Sequence, residues 1–138
     1  MVIQFWGPRL ALKSSSFISY DAEPFLQSTW TQNTEETAYP PENTRADAFL
    51  PLNLYFAWTS SLFDADLQEA VRQSSAQILA VATADGQAGL ASAPVYPNYA
   101  IFDTPLVNMY GGNVARLQAL KAEVDPEDVM GLAGGFKF

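Results

Sequence analysis

The stretch Phe49-Leu50-Pro51-Leu52-Asn53-Leu54-Tyr55-Phe56-Ala57-Trp58 decides the fold. Successive side chains on a strand point to opposite faces, so Leu52, Leu54, Phe56 and Trp58 share one side and Asn53, Tyr55 and Ala57 the other. The first set is a core face. The second is polar and aromatic, as in a sheet face lining a pocket or simply meeting solvent.

Downstream, Asp64 is placed to cap a helix running to about Ala84, with Leu67, Ala70, Val71, Ser74, Ile78 and Val81 as its packing stripe and Asp85-Gly86 as its stop. Asp66 and Glu69 sit near the positive end of the helix dipole and read as ordinary helix-start acids. Leu90 to Tyr99 returns as strand or extended chain, with Pro94 and Pro97 forcing an edge, bulge or loop. Thr104-Pro105 opens a short helix. A further helix follows Gly111-Gly112, with Asn113 as N-cap, an apolar stripe of Val114, Leu117, Leu120 and Val124, and Asp125-Pro126 as its stop. Phe136 and Phe138 alternate across Lys137 as a terminal strand or docked tail would.

Upstream, Val2 to Trp6 is β-prone and closed by Gly7-Pro8. Residues 13 to 48 read mostly as loop, with a short helix around Asp21 to Trp30 and a turn-rich run at Tyr39-Pro40-Pro41-Glu42-Asn43-Thr44. The pattern is α+β: an antiparallel sheet backed by two or three helices, in a single domain spanning 1–138.

Composition narrows the chemistry. The 138 residues contain no Cys and no His. That excludes disulfides, thiol nucleophiles, thiolate zinc, Ser-His-Asp triads and His-linked flavin. Proton transfer falls to Tyr, Asp, Glu, Lys or water. Seven basic residues stand against 15 acidic ones, for a net charge of -8, and no two cations are adjacent. Nucleic acid, which needs a clustered basic surface, is not an expected partner. No apolar run approaches the ~20 residues of a membrane span, and the N-terminus is a poor signal peptide, so a soluble cytoplasmic protein is expected.

The run Tyr96-Pro97-Asn98-Tyr99, then Tyr110-Gly111-Gly112-Asn113, Arg116-Leu117, Lys121 and Asp125-Pro126 resembles the end of berberine bridge enzyme-like FAD-linked oxidases. That family closes with an Asn-Tyr pair, a Tyr-Gly-x-Asn turn, an Arg-Leu helix with a downstream Lys, and an Asp-Pro stop. The resemblance extends upstream through Leu50-Pro51-Leu52-Asn53-Leu54-Tyr55 and Tyr39-Pro40-Pro41, as in fungal members. It covers 37 to 138 and is weaker over the first 36 residues.

The resemblance implies the substrate domain of such an oxidase without its N-terminal FAD-binding domain. It marks Tyr99 as the tyrosine implicated in deprotonating alcohols, with Asn98 as its motif partner. Asn53 and Tyr55 fall on the strand whose face lines the family pocket. Asn113, Arg116, Lys121 and Asp125 are explained by capping, packing and a stop signal.

The expected catalytic residues are therefore Tyr55 and Tyr99, and the expected substrate-binding residues Asn53, Tyr96, Asn98 and Asp103, with no metal. The leading expectation is a flavin-free enzyme of specialised metabolism, steering a hydrophobic small molecule through non-redox cyclisation or isomerisation. No cofactor is expected, and FAD enters only if a partner supplies its site. A substrate-domain subunit of a split FAD oxidoreductase and a non-catalytic metabolite-binding remnant are the alternatives. An exposed apolar sheet face makes a homodimer the expected assembly.

Overall fold

The computed structural model describes residues 2–26, 28, 32, 35, 37–39 and 50–138. Strands β1 (Ser15–Ala22) and β2 (Leu52–Trp58) pair antiparallel, with Ile18 opposite Phe56, Tyr20 opposite Leu54 and Asp21 opposite Asn53. A bulge between Ser15 and Phe17 shifts the register at the start of β1. Helices α1 (Val2–Ala11) and α2 (Asp64–Ala84) belong to the same compact unit, which comprises residues 1–24 and 50–93. The fold class is α+β.

The core of this unit is built from Trp6 and Leu10 of α1, Phe56 of β2, and Leu67 and Ala70 of α2. Ile18, Tyr20, Trp58, Phe63 and Val71 pack around them. Period-2 alternation holds on β2: Phe56 is buried and Leu54 and Trp58 half-buried, whereas Tyr55 is exposed. Leu52, at the strand's start, is exposed as well. The Trp58 indole N–H donates to Asp64 Oδ1 at 2.6 Å, tying the end of β2 to the first turn of α2.

Several sequence expectations need correction. Val2–Trp6 is not a strand but the first half of α1. On a strand Gln4 and Pro8 would share the face of Trp6 and Leu10; the helix buries Trp6 and Leu10 one turn apart and leaves Gln4 and Pro8 exposed. Pro8 lies inside this helix, and the Gln4 carbonyl that loses its partner belongs to an exposed residue. The supposed loop from residue 13 contains β1, and the helix placed from Asp21 begins instead in that strand. The rest of that helix, and Pro40 to Thr44, lie largely outside the described residues.

Asp64 does not cap α2: Phe63 holds the cap position with no side-chain hydrogen bond, and Asp64 serves Trp58 instead. The packing stripe of α2 is real through Leu67, Ala70 and Ser74, but Val81 is exposed and Ile78 only half-buried. Asp85-Gly86 ends the helix as expected. The Gln87 amide bonds the Ala82 carbonyl, the Gly86 amide bonds that of Thr83, and Gly86 takes φ 84°.

The second unit comprises residues 25–49 and 94–138. Its helices are α3 (Leu106–Tyr110), following Pro105, and α4 (Val114–Val124). Between them runs a 3₁₀ turn, Gly111–Asn113, entered by Gly111 at φ 54°. Met109 of α3 is fully buried. Leu90–Tyr99 forms no strand: 3₁₀ turns occupy Leu90–Ser92, at the end of the first unit, and Pro97–Tyr99, in the second. Prolines 94 and 97 bring no ladder donors there. Asn113 holds the N-cap position of α4 as expected but makes no side-chain cap hydrogen bond; its side-chain amide donates to the Ala38 carbonyl at 3.0 Å. Leu120 and Val124, expected in the apolar stripe, are exposed. The tail is docked rather than a strand: Gly134 and Gly135 take positive φ and the Phe138 ring meets Tyr110 at 5.3 Å.

Candidate functional site

Four of the six candidate residues lie in the second unit, around the turn Pro97–Tyr99. This turn places two phenols side by side, with Tyr96 and Tyr99 ring centroids 5.1 Å apart and nearly perpendicular. Phe25 and Tyr39 approach the Tyr96 ring edge-on or tilted, at 5.8 and 6.0 Å. Tyr96 is thus the centre of an aromatic cluster, and such edge-to-face pairs each add about 0.5–1.5 kcal/mol beyond burial.

The Asn98 side-chain amide donates to the Tyr96 hydroxyl oxygen at 2.8 Å. An accepted hydrogen bond polarises the phenol, making its own O–H a stronger donor towards a third group. The chain Asn98–Tyr96–acceptor is therefore a ready-made hydrogen-bonding arm beside an apolar ring surface. Tyr99 is half-buried and Asn98 exposed. Asp103 is exposed, beyond the turn, and engaged with another residue.

Asn53 and Tyr55 lie in the first unit, on the outer face of the two-stranded sheet. Tyr55 is exposed and stacks edge-on with Phe17 at 5.8 Å. Asn53 faces Asp21 across the ladder, and Asp21 accepts a 2.6 Å hydrogen bond from Ser19. Two members of the Tyr96 cluster, Phe25 and Tyr39, were not expected from sequence. Tyr39 falls within the turn-rich run, and no local signal singles out Phe25.

Residues 95–133 match the model of the family described as berberine and berberine like. This stretch is similar to that family. No curated protein and no solved structure matches the chain. The berberine-like stretch holds Tyr96, Asn98, Tyr99 and Asp103 together with α3 and α4, and excludes Asn53 and Tyr55.

That family implies FAD. A flavin dinucleotide needs cations or free amides for two phosphates. A groove of about 200 Å³ beside α4 offers one guanidinium, that of Arg116. A second groove, of about 400 Å³ near the tail, has Lys121 already held by Asp125 and Asp128 at 3.0 and 2.9 Å. In the first unit, the groove between α1 and α2 is crossed by the Lys13–Asp66 ion pair at 2.7 Å. None of these donor sets fits the dinucleotide. Among the described residues, no three acidic side chains gather as a metal site, and no helix is long and apolar enough to cross a membrane.

Proposed function

We propose that this chain acts on a hydrophobic small molecule of specialised metabolism, steering a non-redox cyclisation or isomerisation on the tyrosine cluster of its berberine-like stretch. The observation that carries the reading is the Asn98-to-Tyr96 hydrogen bond beside the Tyr99 ring. A ligand carbonyl or phenol oxygen accepts the Tyr96 O–H, while apolar portions lie on the rings. Holding one reactive conformer in this way lowers the entropic part of the barrier to ring closure. Tyr99 supplies the second phenol. A phenol beside a bound oxygen serves as a hydrogen-bond donor.

The reading is of a flavin-free protein related to fungal berberine bridge enzyme-like oxidases. A homodimer would cover apolar surface such as Phe17 and Tyr55 on the outer sheet face. In the second reading, a substrate-domain subunit of a split FAD oxidoreductase, a partner supplies the dinucleotide site that the described grooves do not fit.

One experiment separates the two. Prenylated phenols and quinone methide precursors are incubated with the protein, with and without FAD, while the visible spectrum is recorded. Products of unchanged mass from a colourless protein, lost in Tyr96→Phe and Tyr99→Phe, support the first reading. Products lighter by two hydrogens, formed only with flavin and a partner protein, replace it with the second.

A further inference from the structure

Acidic residues outnumber basic ones 15 to 7 in this chain. Among the described residues the cations are engaged, with one exception. Arg9 lies over the Phe5 ring and donates to its carbonyl. Lys13 pairs with Asp66, Lys121 with Asp125 and Asp128, Lys137 donates to the Gly131 carbonyl, and Arg72 also has a partner. Arg116 is exposed and makes no ion pair or hydrogen bond among the described residues.

The unpaired guanidinium borders the groove of about 200 Å³ formed by Thr37, Ala38, Asn113, Leu117 and Leu120. Two of the groove's polar lining groups are already committed. The Asn113 amide donates to the Ala38 carbonyl at 3.0 Å, and the Thr37 hydroxyl to the Tyr39 carbonyl at 2.8 Å. The Asn113 bond ties Ala38 to the start of α4, and the guanidinium is the charged contact the groove offers.

We infer that this groove binds the carboxylate of a small hydrophobic organic acid, with Arg116 as its anchor and Leu117 and Leu120 against its apolar stem. A guanidinium matches a carboxylate in a planar, two-pronged geometry. Arg116 lies in the first turn of α4, where the helix dipole adds to the attraction for an anion. A single cation in a chain of net charge -8 suits a monoanion and disfavours a phosphate dianion. The groove is smaller than the ~300–1,000 Å³ typical of drug-sized ligands, so it takes a short acid or one end of a longer one. The inference concerns this groove alone and stands whether or not the tyrosine cluster proves catalytic.

The test is calorimetric titration of the full chain with 3-phenylpropanoate and with its uncharged amide, 3-phenylpropanamide. The acid is expected to bind at least about tenfold tighter than the amide, a difference of about 1.4 kcal/mol. Arg116→Gln should bring the acid down to the amide's affinity and leave the amide unchanged. Arg116→Lys, which keeps the charge but not the fork, should fall between. Leu120→Ser should weaken both ligands alike. Equal affinities for acid and amide, an unaltered acid affinity in Arg116→Gln with native circular dichroism, or no acid binding up to roughly 10 mM, weaker than any millimolar-class site, would each overturn the inference.

Discussion

The Tyr20 hydroxyl of β1 and the Ser74 Oγ of α2 lie 2.7 Å apart, joining residues 54 positions distant in sequence. Ser74 is fully buried, and burial pushes the Tyr20 phenol above its ordinary pKa, partly offset by this hydrogen bond. A small polar residue on the packed face of a helix reads in sequence as tolerated filler. Here it supplies a partner for a phenol inside the sheet–helix interface.

The two partners differ in what their loss leaves behind. Ser74→Ala strands the phenol oxygen in a half-buried site and should cost about 1–3 kcal/mol. Tyr20→Phe leaves a serine that can turn its hydroxyl to the carbonyl one helical turn back, so its polar penalty is smaller. Urea denaturation of both variants checks the order: Ser74→Ala should have the lower midpoint. Equal midpoints would reduce the pair to packing.

Gly86 offers a backbone test. Its φ of 84° closes the end of α2, and no atom crowds the space a Cβ would enter. Any effect of Gly86→Ala is therefore conformational. The left-handed region costs a side-chain-bearing residue about 1–2 kcal/mol, and asparagine tolerates it better. Thermal melts should rank wild type first, then Gly86→Asn, then Gly86→Ala.

The parts of the fold legible in sequence are those where local and tertiary preferences agree. Helix α2 and helix α4 end where Asp85-Gly86 and Asp125-Pro126 say they should. By contrast, Val2-Ile3-Gln4-Phe5-Trp6 is β-prone by composition and is followed by Gly7-Pro8, yet it forms the first half of α1, whose period buries Trp6 and Leu10 while Gln4 and Pro8 stay exposed. Strand β1 carries a period-2 signal, Ile18 and Tyr20 alternating with Ser19 and Asp21, but Ser14-Ser15-Ser16 makes the segment read as a loop. In the tyrosine cluster, Tyr96, Asn98 and Tyr99 are legible because three neighbours share one turn. Phe25 joins them from a segment 71 residues away, through a contact that no short-range spacing encodes.

Protonation of Asp125 should loosen the end of the chain. Its carboxylate accepts the Met130 amide at 3.0 Å and the Val129 amide at 2.8 Å, and pairs with Lys121. Led by the Met130 hydrogen bond, these contacts hold its pKa below the ordinary aspartate value of 3.8. A carboxyl depressed in the folded state contributes stability above its unfolded pKa and loses it as pH falls through the folded one. Protection of the Val129 and Met130 amides against hydrogen exchange, taken relative to the intrinsic rate at each pH, should therefore hold down to about pH 4 and fall below it. In Asp125→Asn that protection should be low throughout, with no step in that window.

Self-association is the last expectation. Among the described residues each strand of the sheet pairs along one edge only, and the outer face carries Phe17 and Tyr55, at 54% and 52% exposure. An exposed aromatic pair on a sheet face is an arrangement that proteins ordinarily cover. If a second copy covers it, sedimentation velocity should give a dimer for the wild-type chain. Phe17→Asp places a charge in that contact without entering the core, so it should return the protein to monomer with its thermal midpoint little changed. A wild-type monomer at high micromolar concentration, or a dimer indifferent to Phe17→Asp, would move the interface elsewhere or remove it.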